Sequence, residues 1–288
     1  MGREGIVVKV FKPEEVNLHT HSCFCNHAVG SVEDYLKAAD DNHLKVLGFT
    51  EHCPVPGDSL FWNMKMKDLA GYVNSVKAAK ETSQKIKIFL GAECDYEPIL
   101  ENFYRDEFLG KLGFDYLIGS IHMYFDLEER EECSVSRSKN FTMYLSDYVG
   151  RYCRALESDL FLFGCHPDLF RASYHPWDEN AKAASKDIIQ CAIDLNIPLE
   201  INGAGLRKPL IETSDGQRHM YSTDEFFIMA KEMGAKLCSS SDAHKPALVR
   251  GIINDDGKNE CEQMAERLGI TFIDWSIDDN GKISCNPQ

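Results

Sequence analysis

Seven short apolar runs, separated by longer amphipathic stretches, constrain this chain more than any other feature. They are VNL (16–18), VLGFT (46–50), IKIFLG (86–91), FDYLIGSI (114–121), LFLFG (160–164), IPLEI (197–201) and AKLCSS (235–240). Each is short, is bounded by Gly, Pro or polar residues, and is often β-branched or aromatic, as buried strands are. GITFIDW (269–275) is a candidate eighth. Between the runs, SVEDYLKAADDN opens on Ser31 with Asp34 three residues later, the spacing of a capping box. STDEFFIMAKEMG repeats the pattern with Ser222 and Glu225, and Gly234 follows as a C-cap. MKDLAGYVNSVKAAKETS and ENAKAASKDIIQCAIDLN carry helical apolar spacing. Strands alternating with helices predict a parallel α/β fold. Seven such units predict a closed or nearly closed barrel rather than an open sheet.

At 288 residues the chain is long enough for two domains, but α/β barrels of this size are commonly one. A single domain over residues 1–288 is the expectation. The formal net charge of −15 argues against non-specific nucleic-acid binding, which needs a basic footprint. A small phosphate group can still be held locally by metal ions and a few arginines. No apolar run approaches the roughly 20 residues of a membrane span. MGREGIVVKVFKPEE has no apolar signal core with a cleavage site, and lacks the Ser or Thr of a myristoylation signal. A cytoplasmic protein with no membrane or nucleic-acid partner is expected; the sequence leaves the oligomeric state open. Eleven cysteines, an odd number with no C-x-x-C, argue against a disulfide framework or a zinc ribbon. Cys23 and Cys25 form a lone C-x-C and read as reduced thiols.

The residues after each apolar run are polar in a consistent way. His19 and His21 come after the first, His52 (TEH) after the second, Glu93 (GAE) after the third and His122 (GSIH) after the fourth. His166 (GCHPD) comes after the fifth, Asn202 (EING) after the sixth, and Asp242 with His244 (SSSDAH) after the seventh. In a parallel barrel the carboxyl ends of all strands open onto one face, where the active site lies. These groups therefore converge despite their separation in sequence. Residues i and i+2 of a strand point the same way, so His19 with His21, and Asp242 with His244, can each address one cluster. Imidazole suits Zn, Fe, Ni and Cu, while carboxylate oxygen extends the range to Mn and can bridge two ions. So many donors exceed the needs of one tetrahedral zinc, and two or three ions use them better. A single histidine at a strand end is ordinarily just a hydrogen-bonded residue. Seven of the ten at strand ends or in the loops after them, with a Glu and an Asp in matching places, read as a metal centre. His43, His175 and His219 lack that placement. Cys53, Cys94 and Cys165 adjoin His52, Glu93 and His166, so strand alternation turns them towards the barrel wall and the helices. Two long connections, 123–140 and 203–221, have the length of lids or binding loops.

Taken in order, HTHSCFCNH, TEH, GAECDYEP, GSIH, GCHPDL, EINGAGLRKP and SSSDAHKP resemble the motifs of the PHP (polymerase and histidinol phosphatase) superfamily, and within it the stand-alone histidinol-phosphate phosphatases. The resemblance spans residues 17 to 246. It implies a distorted (β/α)7 TIM-like barrel holding two to three divalent ions (Zn, Fe or Mn). The implied ligands are His19, His21, His27, His52, Glu93, His122, His166, Asp242 and His244. His19, His21, Glu93 and Asp242 would share one ion; Glu93 would bridge to a second with His122 and His166; His27, His52 and His244 would hold the third. The family often carries Asp where this chain has Asn17. The implied activity is hydrolysis of L-histidinol phosphate to L-histidinol and phosphate, in histidine biosynthesis. Adjacent divalent ions suit that chemistry, since they lower the pKa of water and neutralise phosphoryl oxygens. Asp242 or His244 would orient the nucleophile, and a histidine near the ions or a water would protonate the leaving alkoxide. Arg207 and Arg171 are candidate forked donors to phosphate, with Asn202 a further candidate substrate contact. Two alternatives stand beside this reading: another small phosphomonoester or a nucleotide as substrate, and a non-catalytic metal-binding protein.

Overall fold

The computed structural model describes residues 8–58, 62–126, 131–135, 144–214 and 216–285. All seven expected strands are present and lie in one sheet. After β1 (Lys9–Phe11), which pairs elsewhere, come β2 (Val16–Asn17), β3 (Val46–His52), β4 (Lys87–Asp95) and β5 (Tyr116–Ser120). A hairpin of β6 (Met123–Asp126) and β7 (Glu131–Ser134) precedes β8 (Phe161–Gly164) and β9 (Leu199–Asn202). A second hairpin, β10 (Ile211–Thr213) and β11 (Gly216–Arg218), precedes β12 (Leu237–Ser240), and β13 (Trp275–Ile277) and β14 (Ile283–Cys285) come last. The main sheet runs β12-β9-β8-β5-β4-β3-β2, every neighbouring pair parallel. A single bridge, Thr20 to Ala243, joins its two edges into a nearly closed barrel, and His21 N donates to Ala243 O at 2.9 Å beside it.

The helices are α1 (Val32–Asp41), α2 (Leu69–Thr82), α3 (Glu101–Phe103, continued by a π-helix over Tyr104–Leu112), α4 (Leu145–Glu157), α5 (Glu179–Asp194), α6 (Gly203–Arg207), α7 (Asp224–Met233) and α8 (Glu260–Leu268). The capping box of α1 forms as expected: Ser31 Oγ accepts from Asp34 N at 3.2 Å, and Asp34 Oδ2 accepts from Ser31 N at 2.8 Å. The N-cap of α7 is Thr223 rather than Ser222. Ser222 is spent on the backbone of Asn202, accepting from its N at 2.9 Å and donating to its O at 3.0 Å. Gly234 closes α7 at φ 83°, as anticipated.

GITFIDW does not add an eighth barrel strand. Of its residues only Trp275 is in a strand, and β13 pairs antiparallel with β1 and β14 in a separate three-stranded sheet. The reason is apolar burial. Phe11, Trp275, Ile277 and Ile283 pack against Val46, Phe89 and Phe163, closing the amino-terminal end of the barrel. Both long connections contain hairpins. In 123–140, β6 pairs with β7 from Met123↔Ser134 to Asp126↔Glu131, while 127–130 and 136–140 lie outside the described residues. In 203–221, α6 is followed by the β10–β11 hairpin.

Side-chain alternation sorts each strand into two faces. On β4, Ile88, Leu90, Ala92 and Cys94 face the helices, whereas Phe89 belongs to the barrel interior with Gly91 and Glu93 above it. On β3, Val46 lies in the interior, followed at two-residue steps by Gly48, Thr50 and His52. Inward positions thus change from apolar to polar towards the carboxyl ends. The glycines are spatially required. Tyr116 crosses the interior and donates to Leu18 O at 2.8 Å. A Cβ on Gly48 would overlap its hydroxyl, and one on Gly91 would come 2.8 Å from its ring. Gly48→Ala should therefore cost about 1–3 kcal/mol by overpacking, read as a lower urea midpoint; an unchanged midpoint would contradict the packing. Ser31→Ala should cost about 1 kcal/mol.

Candidate active site

The polar ends of the barrel strands meet in one cluster. His19 Nε2 and His21 Nε2 lie 3.1 Å apart. Glu93 occupies the centre. Its Oε2 is 3.4 Å from each of those nitrogens and 3.0 Å from His52 Nδ1. Its Oε1 is 2.9 Å from His166 Nε2 and 3.6 Å from His122 Nε2. Asp242 Oδ1 is 3.2 Å from His21 Nε2 and 3.4 Å from His244 Nδ1. His27 Nε2 meets His244 Nε2 at 2.9 Å, at the outer edge. Among the groups of described residues that bring donor atoms within 4.8 Å of one another are His19, His21 and Asp242; His21, His52 and Glu93; and His27, His52 and His244.

Two of these residues enter through unusual backbone. By alternation with Phe163 and Cys165, both of the interior core, His166 would face outward. Its φ of 27° turns the side chain back into the cluster. Asp242 lies beyond β12 at φ 46°. Positive φ in a residue with a Cβ is strained, and such strain gathers at functional sites.

The electrostatics suit cation binding. Burial alone would push the Glu93 carboxyl up, but the imidazoles of His52, His19 and His122 overcome it and hold the group well below the usual carboxylate range. Asp242 is held down against its burial by His19, His21 and His244. His27 is lowered to about 4 by burial and by His52 and His244, so it is a neutral donor at physiological pH. His122 is raised to about 9, because Asp95 and Glu93 outweigh its burial. Glu93 Oε2, Asp242 Oδ1 and His21 Nδ1 are buried without a hydrogen-bond partner. Buried polar atoms are rarely left so. Unsatisfied carboxylate oxygens facing imidazole nitrogens form a donor set that fits divalent cations.

Further carboxylates, absent from the sequence-based expectation, hold the donors in place. Glu200, fully buried on β9, meets His19 Nδ1 at 2.8 Å and accepts from His166 N at 2.9 Å. Asp95 meets His122 Nδ1 at 3.1 Å and accepts from its N at 2.6 Å. Such contacts fix the tautomer and ring orientation of a ligating histidine. Glu51 accepts from Ser22 N at 2.6 Å and Cys25 N at 3.1 Å, pinning the loop between His21 and His27. Asp168 accepts from Ser222 N at 3.0 Å and Thr223 N at 2.7 Å, tying the segment after β8 to the start of α7. Period-two alternation was the available signal for Glu200, which lies two residues before Asn202. Asn17 donates to Ser241 Oγ and Val249 O, both at 2.6 Å, and accepts from His19 N at 3.2 Å, so its amide laces the barrel seam.

The three residues expected to meet substrate are occupied by the protein itself. Asn202, fully buried, donates to Glu200 Oε2 at 2.9 Å and to Asp242 Oδ2 at 3.2 Å. Arg207 pairs with Glu260 and donates to Ser241 O at 2.6 Å. Arg171, also fully buried, donates to the carbonyls of Tyr174 and Pro176 and lies over the Trp177 ring. Among the cysteines, Cys53 and Cys94 face the helices as expected. Cys165 does not: it lies in the barrel interior, its sulfur grouped with His19 and Glu200. Cys165 follows Phe163 by ordinary alternation, and it is His166 that departs, through its left-handed backbone. Cys23 is exposed, and Cys25 is buried beside His21 and His244. His175 Nε2 meets Ala172 O at 3.2 Å, away from these contacts.

Among the described residues no helix is long and apolar enough to cross a membrane. Comparison with known proteins is consistent along the chain. A probable histidinol-phosphatase of Deinococcus radiodurans is 29% identical over 258 residues, covering 88% of this chain and 95% of the relative. Another, from Schizosaccharomyces pombe, is 25% identical over 303 residues, covering 94% and 93%. The fold matches a putative histidinol phosphatase of Listeria monocytogenes at TM-score 0.66, with 21% identity over 80% of this chain and 96% of that one. It also matches a Lactococcus lactis histidinol phosphate phosphatase, solved with Zn, L-histidinol and phosphate, at TM-score 0.65, with 15% identity over 95% and 99%. The PHP domain profile matches residues 17–204, from the strand before the first histidine pair to the start of α6, and on that match the chain belongs to the PHP domain family.

Proposed function

We propose that this protein is a metal-dependent phosphomonoesterase that hydrolyses L-histidinol phosphate to L-histidinol and phosphate in histidine biosynthesis. One observation carries the reading: the buried Glu93 carboxylate offers one oxygen to His19, His21 and His52 and the other to His122 and His166. That is the arrangement of a carboxylate shared between neighbouring cations. His19, His21, Glu93 and Asp242 would hold one ion, Glu93, His122 and His166 a second, and His27, His52 and His244 a third, as Zn, Fe or Mn. When bound, such ions lower the pKa of water and neutralise phosphoryl oxygens. The substrate is inferred from the names of the two relatives aligned over most of the chain.

The chain's own residues position and tune that centre. Glu200 and Asp95 meet the Nδ1 atoms of His19 and His122, which turns each Nε2 towards Glu93. Asp242 Oδ2 is held by Asn202 Nδ2, which leaves Oδ1 facing His21 and His244, where it would orient the attacking water. His244 Nδ1, 3.4 Å away, keeps that oxygen oriented. Arg207 acts through Asp242 by holding the carbonyls of Ser241 and Asp242.

Steady-state kinetics on histidinol phosphate and an aryl phosphate, with Mn, Zn and Fe in turn, test the assignment. Preference for histidinol phosphate is expected. Equal turnover of the two would reassign the substrate to another small phosphomonoester or a nucleotide. A metal-loaded protein inert towards a broad phosphoester panel would leave a metal-binding protein without catalysis. Chelation should abolish turnover and a single added divalent metal restore it. His122→Ala should lose nearly all activity; near-normal turnover would sink the metal mechanism. Glu200→Gln keeps the shape but weakens the bond to His19, and should cost about 10–100-fold in metal affinity or activity.

A further inference from the structure

Away from the cluster, two sulfurs lie together on the outer layer of the barrel. Cys153 is on α4 and Cys191 on α5, and these helices pack against each other. The two side chains lie near enough for each thiol to shift the other's acidity. Cys191 Sγ is also 3.7 Å from Cys153 O, and Cys153 Sγ is 3.9 Å from Asp187 O, so the helix backbones approach closely at this level. Both residues are partly exposed, whereas Cys25, Cys53, Cys94, Cys165, Cys238 and Cys261 are buried. The pair is unsymmetrical. Cys153 beside it lowers the Cys191 thiol, whereas Cys191 and burial raise the Cys153 thiol. Cys191 is therefore the sulfur that ionises first, and thiolate is the reactive form.

We propose that Cys153 and Cys191 form a site of reversible oxidation, at which hydrogen peroxide converts the two thiols into a disulfide joining α4 to α5. The surroundings select the oxidant. Glu157, Asp187 and Asp194 act electrostatically on the pair, which disfavours anionic oxidants such as glutathione disulfide and leaves uncharged peroxide as the suitable class. In the first step the Cys191 sulfur attacks one peroxide oxygen. The S–O bond forms, the O–O bond breaks, and the departing hydroxide takes the proton released by Cys191 and leaves as water. In the second step the Cys153 sulfur attacks the sulfenic sulfur of Cys191. The S–S bond forms, the S–O bond breaks, and hydroxide leaves as water with the Cys153 proton. The two thiols lose two electrons, and one peroxide becomes two waters. α4 leads into β8 and α5 leads out towards β9, so the cross-link would join the helices on either side of the strand that presents His166.

The test titrates the full-length reduced protein with hydrogen peroxide, quenches with an alkylating agent, and maps peptides without reduction. The expected product is one cross-linked pair containing Cys153 and Cys191, lighter by two hydrogens and restored by dithiothreitol. The oxidised protein should melt several degrees higher, because the link shortens the unfolded chain. In Cys153→Ser, Cys191 should be trapped as a dimedone adduct; in Cys191→Ser, Cys153 should label far more slowly. Recovery of both cysteines as free thiols while Cys23 or Cys285 oxidises would overturn the proposal. Equal dimedone labelling of Cys153 and Cys191 in the two variants would overturn the assigned order of attack. The wild-type map stands alone if a variant fails to fold.

Discussion

A carboxylate with 1% of its side chain exposed sets the terms for the rest of this molecule. Taking such a charge out of water costs several kcal/mol unless opposite charge and hydrogen bonds replace the lost hydration. Around Glu93 the replacement comes from imidazoles on β3 and on the segments after β2, β5 and β8. Imidazoles compensate only if their nitrogens point correctly, so each needs a partner behind it. Glu200 and Asp95 are those partners for His19 and His122. Both are acidic, so compensating the central charge brings more acid into the barrel. The apolar lower interior, filled by Phe89, Phe163 and Tyr116, makes the demand strict, because an unpaired charge costs more against apolar side chains.

The parts of the fold that were legible are those governed by period and position. Strands β2, β3, β4, β5, β8, β9 and β12 fall on the seven apolar runs, because each needs a face against the helices and a face against the interior. The residues after them converge because parallel strands share one carboxyl end. What escaped depends on partners distant in sequence. Trp275 looks like barrel strand material but is buried beneath the barrel, against Phe163. Cys165 and His166 both face inward because one residue has a left-handed backbone, which no periodicity announces. Ser222 has the right residue type and spacing for a cap, yet Asn202 claims its hydroxyl.

Charged side chains were legible as types and not as bonds. Arg207 and Arg171 have the chemistry to grip a phosphate, and the fold uses both to satisfy its own carbonyls and carboxylates. The same holds for the net charge of −15. That figure describes the surface field and says little about the cluster, where histidines outnumber carboxylates. Asn17 illustrates the point from the other side. Its amide donates to Ser241 and Val249 and accepts from His19, a combination that an ionised carboxylate, being acceptor only, does not offer.

The seam of the barrel bears on how the protein is made. Just beyond β2 and β12 the Thr20–Ala243 bridge joins the two edges, and the Asn17 amide ties β2 to Ser241 and Val249. Asp242, one of the cluster's two carboxylates, stands on the late side of that seam. During translation the early histidines emerge long before Asp242 does, so a nascent chain carries them with no far wall to close the cluster. Docking of the last strand against the first is a contact of very long sequence separation, and such contacts form slowly. Barrel closure and completion of the cluster are thereby one late event, and a chain truncated before β12 would lack Asp242 and His244.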